Sequence, residues 1–407
     1  MKIKRSKALL AICAVVVLAI TTFTIFTFRF APSVKAYDAW YDADWSYRKK
    51  ITIHHDQVSA TLTDFPIMIN LSSDTDLALN AQDDGDDIFF ILNGEVTKLS
   101  HEIETFNGGT GELVAWVKIP SLSSTTDTEL YLYYGNISAA NQENTTDVWS
   151  NKYAAVWHLN ESSGNALDST ENGISGTIQP GVTQGNTGMI GKYYSFNGAG
   201  WVNFGSPTTL PYGRSPKSIS AWAKTNTTAA GFRWAAAYGN PSTNQAFFFG
   251  LNGTTLDGGG YGGDLTSNSF WTVGEWKQVN LTYTGTQARL YGNGVPLTSP
   301  INKGWDTIIN KAYLGRQVNN SEYWDGDIDE VRISSVDRSA EWIATEYANQ
   351  NPLSTFYILD ASQERETTPP SNPTTFKTYS SSGKTLEYQS GDWLNASAPY
   401  FEWSGIS

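Results

Sequence analysis

The chain has 407 residues, of which 16% are charged and 13% are aromatic. This aromatic content excludes a disordered protein, and the length suits two or three ordinary domains. The net charge is −13, and six of the 27 basic residues lie in residues 1–36, where there is no acid. The remaining surface is strongly acidic and would repel phosphate backbones, so we expect no nucleic-acid partner.

Residues 1–36 have the pattern of an export leader, and they predict an N-terminal hydrophobic helix. A basic start is followed by an uncharged run from Ala8 to Phe28, which is long enough to cross a bilayer. The segment is either a signal peptide cleaved after Ala36 or a retained membrane anchor, and both place the rest of the chain outside the membrane. Cys13, the one cysteine, lies within it, so the exported part has neither a disulfide nor a cysteine nucleophile.

Residues 37–150 predict a β-sandwich. Tyr47–Ile53, Leu113–Ile119 and Leu130–Tyr134 alternate apolar and polar residues, as half-buried strands do. The acidic run Asp83–Asp87 is interpreted as a solvated turn before a short buried strand, with a calcium loop as the alternative, although it lacks the spacing of an EF-hand.

Residues 151–360 continue the alternation. Ile219, Ala221 and Ala223 should face a core, and Asn293-Gly294 is a strong signal for a two-residue hairpin turn. One helix is predicted at 339–350. Residues 361–374 form a Pro-rich linker, and 375–407 predict the start of a further, truncated β-module. The predicted fold class is therefore all-β, with tandem β-sandwiches after the N-terminal hydrophobic helix.

Two family resemblances follow from short motifs. Trp45–Ile51, His101–Glu104, Ala115–Pro120 and Tyr133–Asn136 resemble a domain of unknown function (DUF2341-like) of prokaryotic surface proteins. Val156–Leu159, Phe196–Gly198, Ile219–Trp222 and Asp325–Ile333 resemble a laminin-G-like domain of the concanavalin A-like jelly-roll class. The second resemblance implies a jelly roll that binds a glycan or a protein, often with calcium.

Acidic residues of the second region suggest a calcium site. Asp168 and Asn172 lie in a Gly-rich loop, and Asp327 and Asp329 alternate on a later strand, so the side-chain oxygens of these four residues could together hold a hard cation. Asp325, Asp327 and Asp329 should share one face, but no Glu completes the carboxylate pattern of jelly-roll glycosidases. Asp329 is also in register with Val331 and Ile333.

Aromatic residues in loop-like stretches are candidates for ligand binding, because exposed rings stack on sugars and anchor protein interfaces. The candidates are Trp201, Trp234, Tyr261, Trp305 and Trp324, against the alternative that most of them are core. His101 and His158 lie beside apolar residues and are interpreted as structural histidines.

The sequence thus predicts an exported cell-surface binding or adhesion protein that recognises a glycan or a surface protein, with calcium as a candidate cofactor and with no enzymatic activity. It would be extracellular or in the cell envelope, and it would be tied to the membrane if the leader is retained. The alternatives are a non-catalytic module of a larger exported enzyme or envelope assembly and, with less support, a glycoside hydrolase.

Overall fold

The computed structural model describes residues 40–95 and 97–365, together with the backbone of three short strands between 375 and 404. The predicted leader, 1–36, and most of the predicted linker, 361–374, lie outside the described residues. Within the described part, no helix has the length and apolar character needed to cross a membrane.

The first sandwich packs a six-stranded sheet against a three-stranded sheet. The six-stranded sheet contains β1 (Tyr47–Ile53), β3 (Phe89–Leu92), β4 (Lys98–Leu99), β7 (Thr128–Tyr134), β24 (Tyr357–Leu359) and β25 (Glu364–Arg365), in the order β24-β1-β7-β3-β4 with β25 also beside β1. The three-stranded sheet has the order β2 (Leu62–Leu71), β6 (Glu112–Leu122) and β5 (His101–Asn107). A 3-10 turn (His55–Gln57) and the short helices α1 (Thr75–Asn80) and α2 (Thr145–Val148) connect them.

The second sandwich packs a nine-stranded sheet against a seven-stranded sheet. The nine-stranded sheet contains β8 (Tyr153–Trp157), β10 (Val182–Thr187), β11 (Lys192–Asn197), β13 (Lys217–Thr225), β18 (Trp276–Tyr283), β19 (Gln287–Gly292), β20 (Val295–Pro296), β21 (Ile301–Asn302) and β23 (Asp325–Ser334). The seven-stranded sheet contains β9 (Thr177–Ile178), β12 (Val202–Asn203), β14 (Phe232–Gly239), β15 (Ala246–Asn252), β16 (Thr255–Gly259), β17 (Leu265–Ser269) and β22 (Lys311–Leu314).

The alternation read from the sequence is what builds these sheets. Ile219 pairs with Leu281 and Ala221 with Val279 between β13 and β18, and all four side chains enter the core between the two sheets. The turn between β19 and β20 is Asn293-Gly294, with φ of 49° and 78°, which is the left-handed pair that a two-residue hairpin requires. The predicted all-β fold class with tandem sandwiches is confirmed.

One helix and two strands bring the chain back to the first sandwich. Helix α3 (Ala340–Gln350) starts at Ser339, whose hydroxyl accepts a hydrogen bond from the Trp342 backbone N–H. The indole of Trp342 packs on Phe65 of β2 with ring centroids 4.7 Å apart. Strands β24 and β25 then pair with β1 at the edge of the first sheet.

The two sandwiches share buried side chains at their junction. Val156, Ile190 and Trp222 of the second sandwich pack into the core formed by the strands of the first. Burying apolar side chains in this way stabilises the contact by about 25 cal/mol per Å² of buried surface. The junction is therefore part of the core and not a hinge. A further antiparallel sheet, β26 (Thr375–Tyr379), β27 (Glu387–Tyr388) and β28 (Tyr400–Ser404), lies in the stretch where an additional β-module is predicted.

Candidate functional sites

A cluster of buried charged residues lies where the two sandwiches meet. Strand β5 of the first sandwich carries Glu102 and Glu104. The second sandwich contributes His158, which directly follows β8, and three residues of β23. Helix α3 adds Glu346. The carboxylates of the cluster are therefore Glu102, Glu104, Asp329, Glu330 and Glu346, and its cations are His158 and Arg332. We call these seven residues the junction cluster.

Two β-bulges aim the central carboxylates. The pairing of β5 with β6 shifts register between Ile103 and Thr105, so Glu104 is the extra residue of a bulge. The pairing of β23 with β13 shifts in the same way around Glu330, whose φ of 51° is in the left-handed region. Bulges re-aim side chains, and they are frequent beside functional sites.

Because of the bulge at Glu330, Asp329 does not lie on the face of the strand that the sequence predicts. Ile328, Val331 and Ile333 enter the core of the second sandwich, so the spacing between core residues is three across the bulge and two after it. Asp329 is therefore not in register with Val331 and Ile333. It is turned, with Glu330, towards the junction between the sandwiches.

His158 is held between carboxylates from both sandwiches. Its Nδ1 is 2.7 Å from Glu330 Oε1 and 3.5 Å from Glu104 Oε2, and its Nε2 is 3.2 Å from Glu102 Oε2. Burial opposes a charge on the ring, but these carboxylates outweigh burial and raise the pKa of His158 well above its usual value. The ring therefore lies with a carboxylate at hydrogen-bond distance from each of its two nitrogens.

Arg332 completes the cluster on the other side of Glu330. Its guanidinium is 2.6 Å from Glu330 Oε2 and 2.8 Å from Glu346 Oε1. The same group lies over the rings of Trp116 (4.3 Å) and Trp149 (4.8 Å) of the first sandwich. Burial would raise the pKa of Glu330, but His158 and Arg332 outweigh burial and hold that pKa below its usual range.

Glu104 and Asp329 are less well compensated. Glu104 Oε2 accepts a hydrogen bond from Trp116 Nε1 at 2.9 Å, while Oε1 is buried without a partner. Burial and the nearby Glu330 raise the pKa of Glu104 to about 8. Asp329 Oδ2 accepts from the Ile190 N–H at 3.1 Å, and Oδ1 has no partner. Burial and Glu330 also raise the pKa of Asp329 well above its usual value.

A cleft of about 230 Å³ borders this cluster. Residues of both sandwiches line it, among them Glu102, Glu104, His158, Asn160, Glu161 and Ser169. Glu102 is tied down by Trp149 Nε1, by the Ser169 hydroxyl at 2.6 Å and by His158. Glu102 is thus held by fixed partners, whereas Glu104 keeps one oxygen without a partner.

A metal held by the histidine does not fit this arrangement. Glu104, His158 and Glu330 each offer one ligand atom within 4.8 Å of the others. However, both ring nitrogens of His158 already lie within hydrogen-bond distance of carboxylates, and a metal ligand needs a neutral imidazole with a free lone pair. The histidine is better described as the centre of an ion-pair network.

The four residues predicted to bind calcium have other partners in the structure. Asp168 accepts from the N–H groups of Val156, Thr170 and Ile174 and from the Thr170 hydroxyl, which occupies its four acceptor positions. Asn172 donates to the Ala154 carbonyl at 3.0 Å. Asp327 pairs with Lys224 at 2.7 Å, and Asp329 lies in the junction cluster. The structure does not bring the four together, and a calcium ion held by them stays a prediction.

Three of the five aromatic candidates are core residues. Trp305 and Trp324 are fully buried between the two sheets of the second sandwich. Trp234 is 2% exposed, packs on Phe248 and donates to Glu322 Oε2 at 2.8 Å. The prediction that these rings bind a ligand is wrong, because a ring closed off from solvent cannot stack on a sugar. Trp201 and Tyr261 are half-buried, and for them ligand binding stays a prediction.

Trp201 belongs to an aromatic group on the outer face of the seven-stranded sheet. Tyr313 of β22 points away from the core that its neighbours Ala312 and Leu314 enter. The guanidinium of Arg316 lies between the rings, 3.9 Å from Trp201 and 4.1 Å from Tyr313, and Tyr323 packs 6.0 Å from Trp201. We call Trp201, Tyr313, Arg316 and Tyr323 the Trp201 platform. Its accessible rings are the half-buried Trp201 and Tyr323, whereas Tyr313 and Arg316 are buried beside them.

The sequence motifs contain six of the seven residues of the junction cluster, all except Glu346, without showing that they meet. Glu102 and Glu104 lie in one quoted motif, and Glu330 and Arg332 lie in another, each among apolar residues. Buried charge inside an apolar strand signals a polar network. The sequence therefore indicates a polar network at each motif, but it does not show that the two motifs meet.

Comparisons with known proteins agree with both resemblances. Residues 84–173 match the family model described as a domain of unknown function (DUF2341), and residues 196–344 match the concanavalin A-like lectin/glucanases superfamily. The two family resemblances are therefore confirmed. No curated protein sequence matches the chain.

Several solved structures resemble part of the chain. Domain 4 of AbnA, a GH43 extracellular arabinanase from Geobacillus stearothermophilus in complex with arabinotriose, is 21% identical, with a TM-score of 0.38 over 47% of this chain and 97% of that one. The binding domain of Paraclostridial Mosquitocidal Protein 1 is 14% identical, with a TM-score of 0.39 over 48% and 52%. The botulinum neurotoxin serotype D binding domain is 12% identical, with a TM-score of 0.39 over 49% and 51%. This chain spans about half the length of the two toxin domains.

Proposed function

We propose that this chain is an exported, non-catalytic binding protein of a cell surface, whose second sandwich recognises a glycan or a surface protein. The observation that carries the proposal is the Trp201 platform on the outer face of the seven-stranded sheet. Aromatic rings on such a surface bind the apolar faces of sugars, and they also act as anchors in protein interfaces.

Arg316 makes the platform rigid before any ligand arrives. Its guanidinium lies over the rings of both Trp201 and Tyr313, and the residue as a whole is only 8% exposed. A cation over an aromatic face is attracted by the ring, so the indole is fixed in one orientation. Because a fixed ring loses less entropy on binding, this arrangement favours affinity.

The location rests on the leader and on the surface charge. The basic start and the uncharged run in residues 1–36 favour export, and the 40 acidic residues of the chain disfavour nucleic acid as a partner. The absence of cysteine after Cys13 suits a prokaryotic surface protein that folds without disulfides.

The test is to apply the full chain to an array of immobilised glycans and to intact cells, and to measure the affinity of any positive by calorimetry. Trp201→Ala should weaken binding by about thirtyfold, because centrally placed aromatic anchors contribute about 2 kcal/mol or more. The matched control is Trp276→Ala, which removes a half-buried tryptophan from the nine-stranded sheet. Equal losses for both variants, or no binding by the unaltered chain to either glycans or cells, would contradict the proposal.

A further inference from the structure

Three buried oxygens without partners converge beside the cleft between the sandwiches. Glu104 Oε1, Thr105 Oγ1 and Asn160 Oδ1 are all buried, and none of them has a hydrogen-bond partner. All three lie within 3.4 Å of one point beside Gly191, the position that a β-carbon would take there. The side chain of Glu104 is only 1% exposed, so Oε1 gains little from bulk water.

Such an arrangement is unfavourable unless something positive or hydrogen-bond-donating sits among the oxygens. Burying a carboxylate oxygen without a partner costs several kcal/mol. Waters and ions satisfy such groups in proteins, and carboxylate, amide and hydroxyl oxygens are the ligands that hard divalent cations prefer.

The surrounding charge favours a cation over a neutral water. The junction cluster contains five carboxylates but only two cations, His158 and Arg332. Glu330 and Glu346 are paired with Arg332, and His158 serves Glu102 and Glu330 most closely. Glu104 shares His158 with these two at the longer distance of 3.5 Å. Asp329 forms no ion pair with the residues that the structure describes, and its Oδ1 has no hydrogen-bond partner.

We propose that Glu104, Thr105 and Asn160 bind a hard divalent cation of the calcium class in this cleft. Glu104 and Thr105 belong to strand β5 of the first sandwich, whereas Asn160 and Gly191 belong to the second. The cation therefore joins the two sandwiches. Its place differs from the loop around Asp168, and it does not depend on what the Trp201 platform binds.

The glycine at 191 is part of the site. Gly191 has a φ of 50° and closes the tight turn between β10 and β11, where the Gly188 N–H donates to the Gly191 carbonyl at 2.9 Å. Any side chain there would enter the space that the three oxygens face. Asn160 also donates from Nδ2 to the Glu104 carbonyl, which holds its Oδ1 towards that space.

The experiment is calorimetric titration of the full chain with CaCl2 after removal of metals by a chelator, together with melting curves in calcium and in chelator. The unaltered chain should bind one calcium at this site and melt at a higher temperature in calcium, with magnesium binding more weakly because it retains its waters. Glu104→Gln should weaken binding by about a hundredfold, and Thr105→Val, which keeps the shape and removes the oxygen, by about tenfold.

The matched control is Glu161→Gln. Glu161 lines the same cleft and loses the same charge, but its oxygens accept from Tyr194 and from the Leu167 N–H. This variant should bind calcium within about twofold of the unaltered chain. In chelator, Glu104→Gln should melt no lower than the unaltered chain, since the neutral amide can still accept from Trp116. That result separates a lost ligand from a lost fold.

Three outcomes would overturn the proposal. The first is a chain that binds no calcium, in which case the space holds ordered water only. The second is calcium binding that survives both Glu104→Gln and Thr105→Val, which places the ion elsewhere. The third is binding lost equally in Glu161→Gln, which shows a general effect of cleft charge and no specific site.

Discussion

Glu330 Oε1 lies 2.7 Å from His158 Nδ1, a buried ion pair between residues 172 positions apart in the chain. The pair forms because a bulge turns Glu330 out of the core of the second sandwich. Both side chains are then in contact with Trp116, Trp149 and Glu102 of the first sandwich, directly or through Arg332. The orientation of the two sandwiches therefore depends on a network of charges as well as on apolar burial.

Glu330→Gln should strongly destabilise the protein. The change leaves Arg332 and His158 buried with one carboxylate fewer, and breaking a buried network by removing one partner costs about 3–5 kcal/mol. Urea denaturation followed by tryptophan fluorescence measures the loss. The control is Glu364→Gln, which removes the partner of Arg48 at a side chain that is 46% exposed, where about 1 kcal/mol or less is expected. A loss for Glu330→Gln as small as that of the control would contradict the network.

Lys217 predicts a pH dependence with a defined sign. Its side chain is fully buried, Nζ donates to Gly213 O at 2.7 Å and to Thr307 Oγ1 at 3.1 Å, and burial lowers the pKa of Lys217 from 10.5 to about 7. Between those two values the unfolded chain binds a proton that the folded chain does not. The free energy of unfolding should therefore rise with pH in this window, by at most about 1.4 kcal/mol per pH unit.

The measurement for Lys217 compares urea unfolding of the unaltered chain and of Lys217→Met at several pH values from 6 to 10. The difference in unfolding free energy should be constant below pH 7 and should move in favour of the unaltered chain above it. Other groups titrate in both proteins and cancel from the difference. A difference that does not change between pH 7 and 10 would show that the lysine is charged in the folded state.

Trp324→Ala should strongly destabilise the second sandwich. The ring is fully buried and meets Trp271 edge to face at 5.4 Å, so its removal leaves a large cavity, for which about 3–5 kcal/mol is typical. Trp201→Ala, at a half-buried ring on the outer face, should cost about 1 kcal/mol. Thermal melting of both variants tests the distinction between core and platform. The distinction between core and platform would be wrong if the two substitutions lowered the melting temperature equally.

Asp87→Ala should destabilise the first sandwich. The fully buried carboxylate accepts from the N–H groups of Gln82 at 3.0 Å, Gly135 at 2.6 Å and Asn136 at 3.0 Å. Three half-buried backbone donors lose their partner, and about 3 kcal/mol is expected. Asp83→Ala removes an exposed acid of the same run and should change the unfolding free energy by less than about 0.5 kcal/mol. Denaturant unfolding measures the free energy for both variants. Equal losses of unfolding free energy would contradict the buried role of Asp87.

Local pattern predicted the strands well, because alternation and turn residues act within a few positions. Tyr47–Ile53 is a strand with the predicted bounds, and the helix begins one residue after the predicted start at 339. The same reasoning failed at Glu330, since a bulge changes the period within a strand and leaves no mark in the residue types. It also misplaced Trp305 and Trp324, which stand in loop-like sequence but fold into the core.

The junction cluster was beyond local pattern for a different reason. Glu104, His158 and Glu330 come from three distant segments, and each is explained locally as a strand or turn residue. Only the packing of one sandwich on the other brings them within reach. Likewise, the sequence offered no reason to pair residues 357–365 with β1, because a short edge strand carries too few residues to show its partner.

That pairing has a mechanical consequence. Tyr47 stands opposite Arg365 and Arg48 opposite Glu364, so the chain enters and leaves the paired sandwiches at the same end of neighbouring strands. Tension applied along the chain on the two sides of this point would act on those few hydrogen bonds and peel them apart in sequence. The second sandwich, residues 151–334, lies in sequence between these two paired strands, so the tension would not reach it while they stay paired. The Trp201 platform would therefore keep its shape while the first sandwich is under tension.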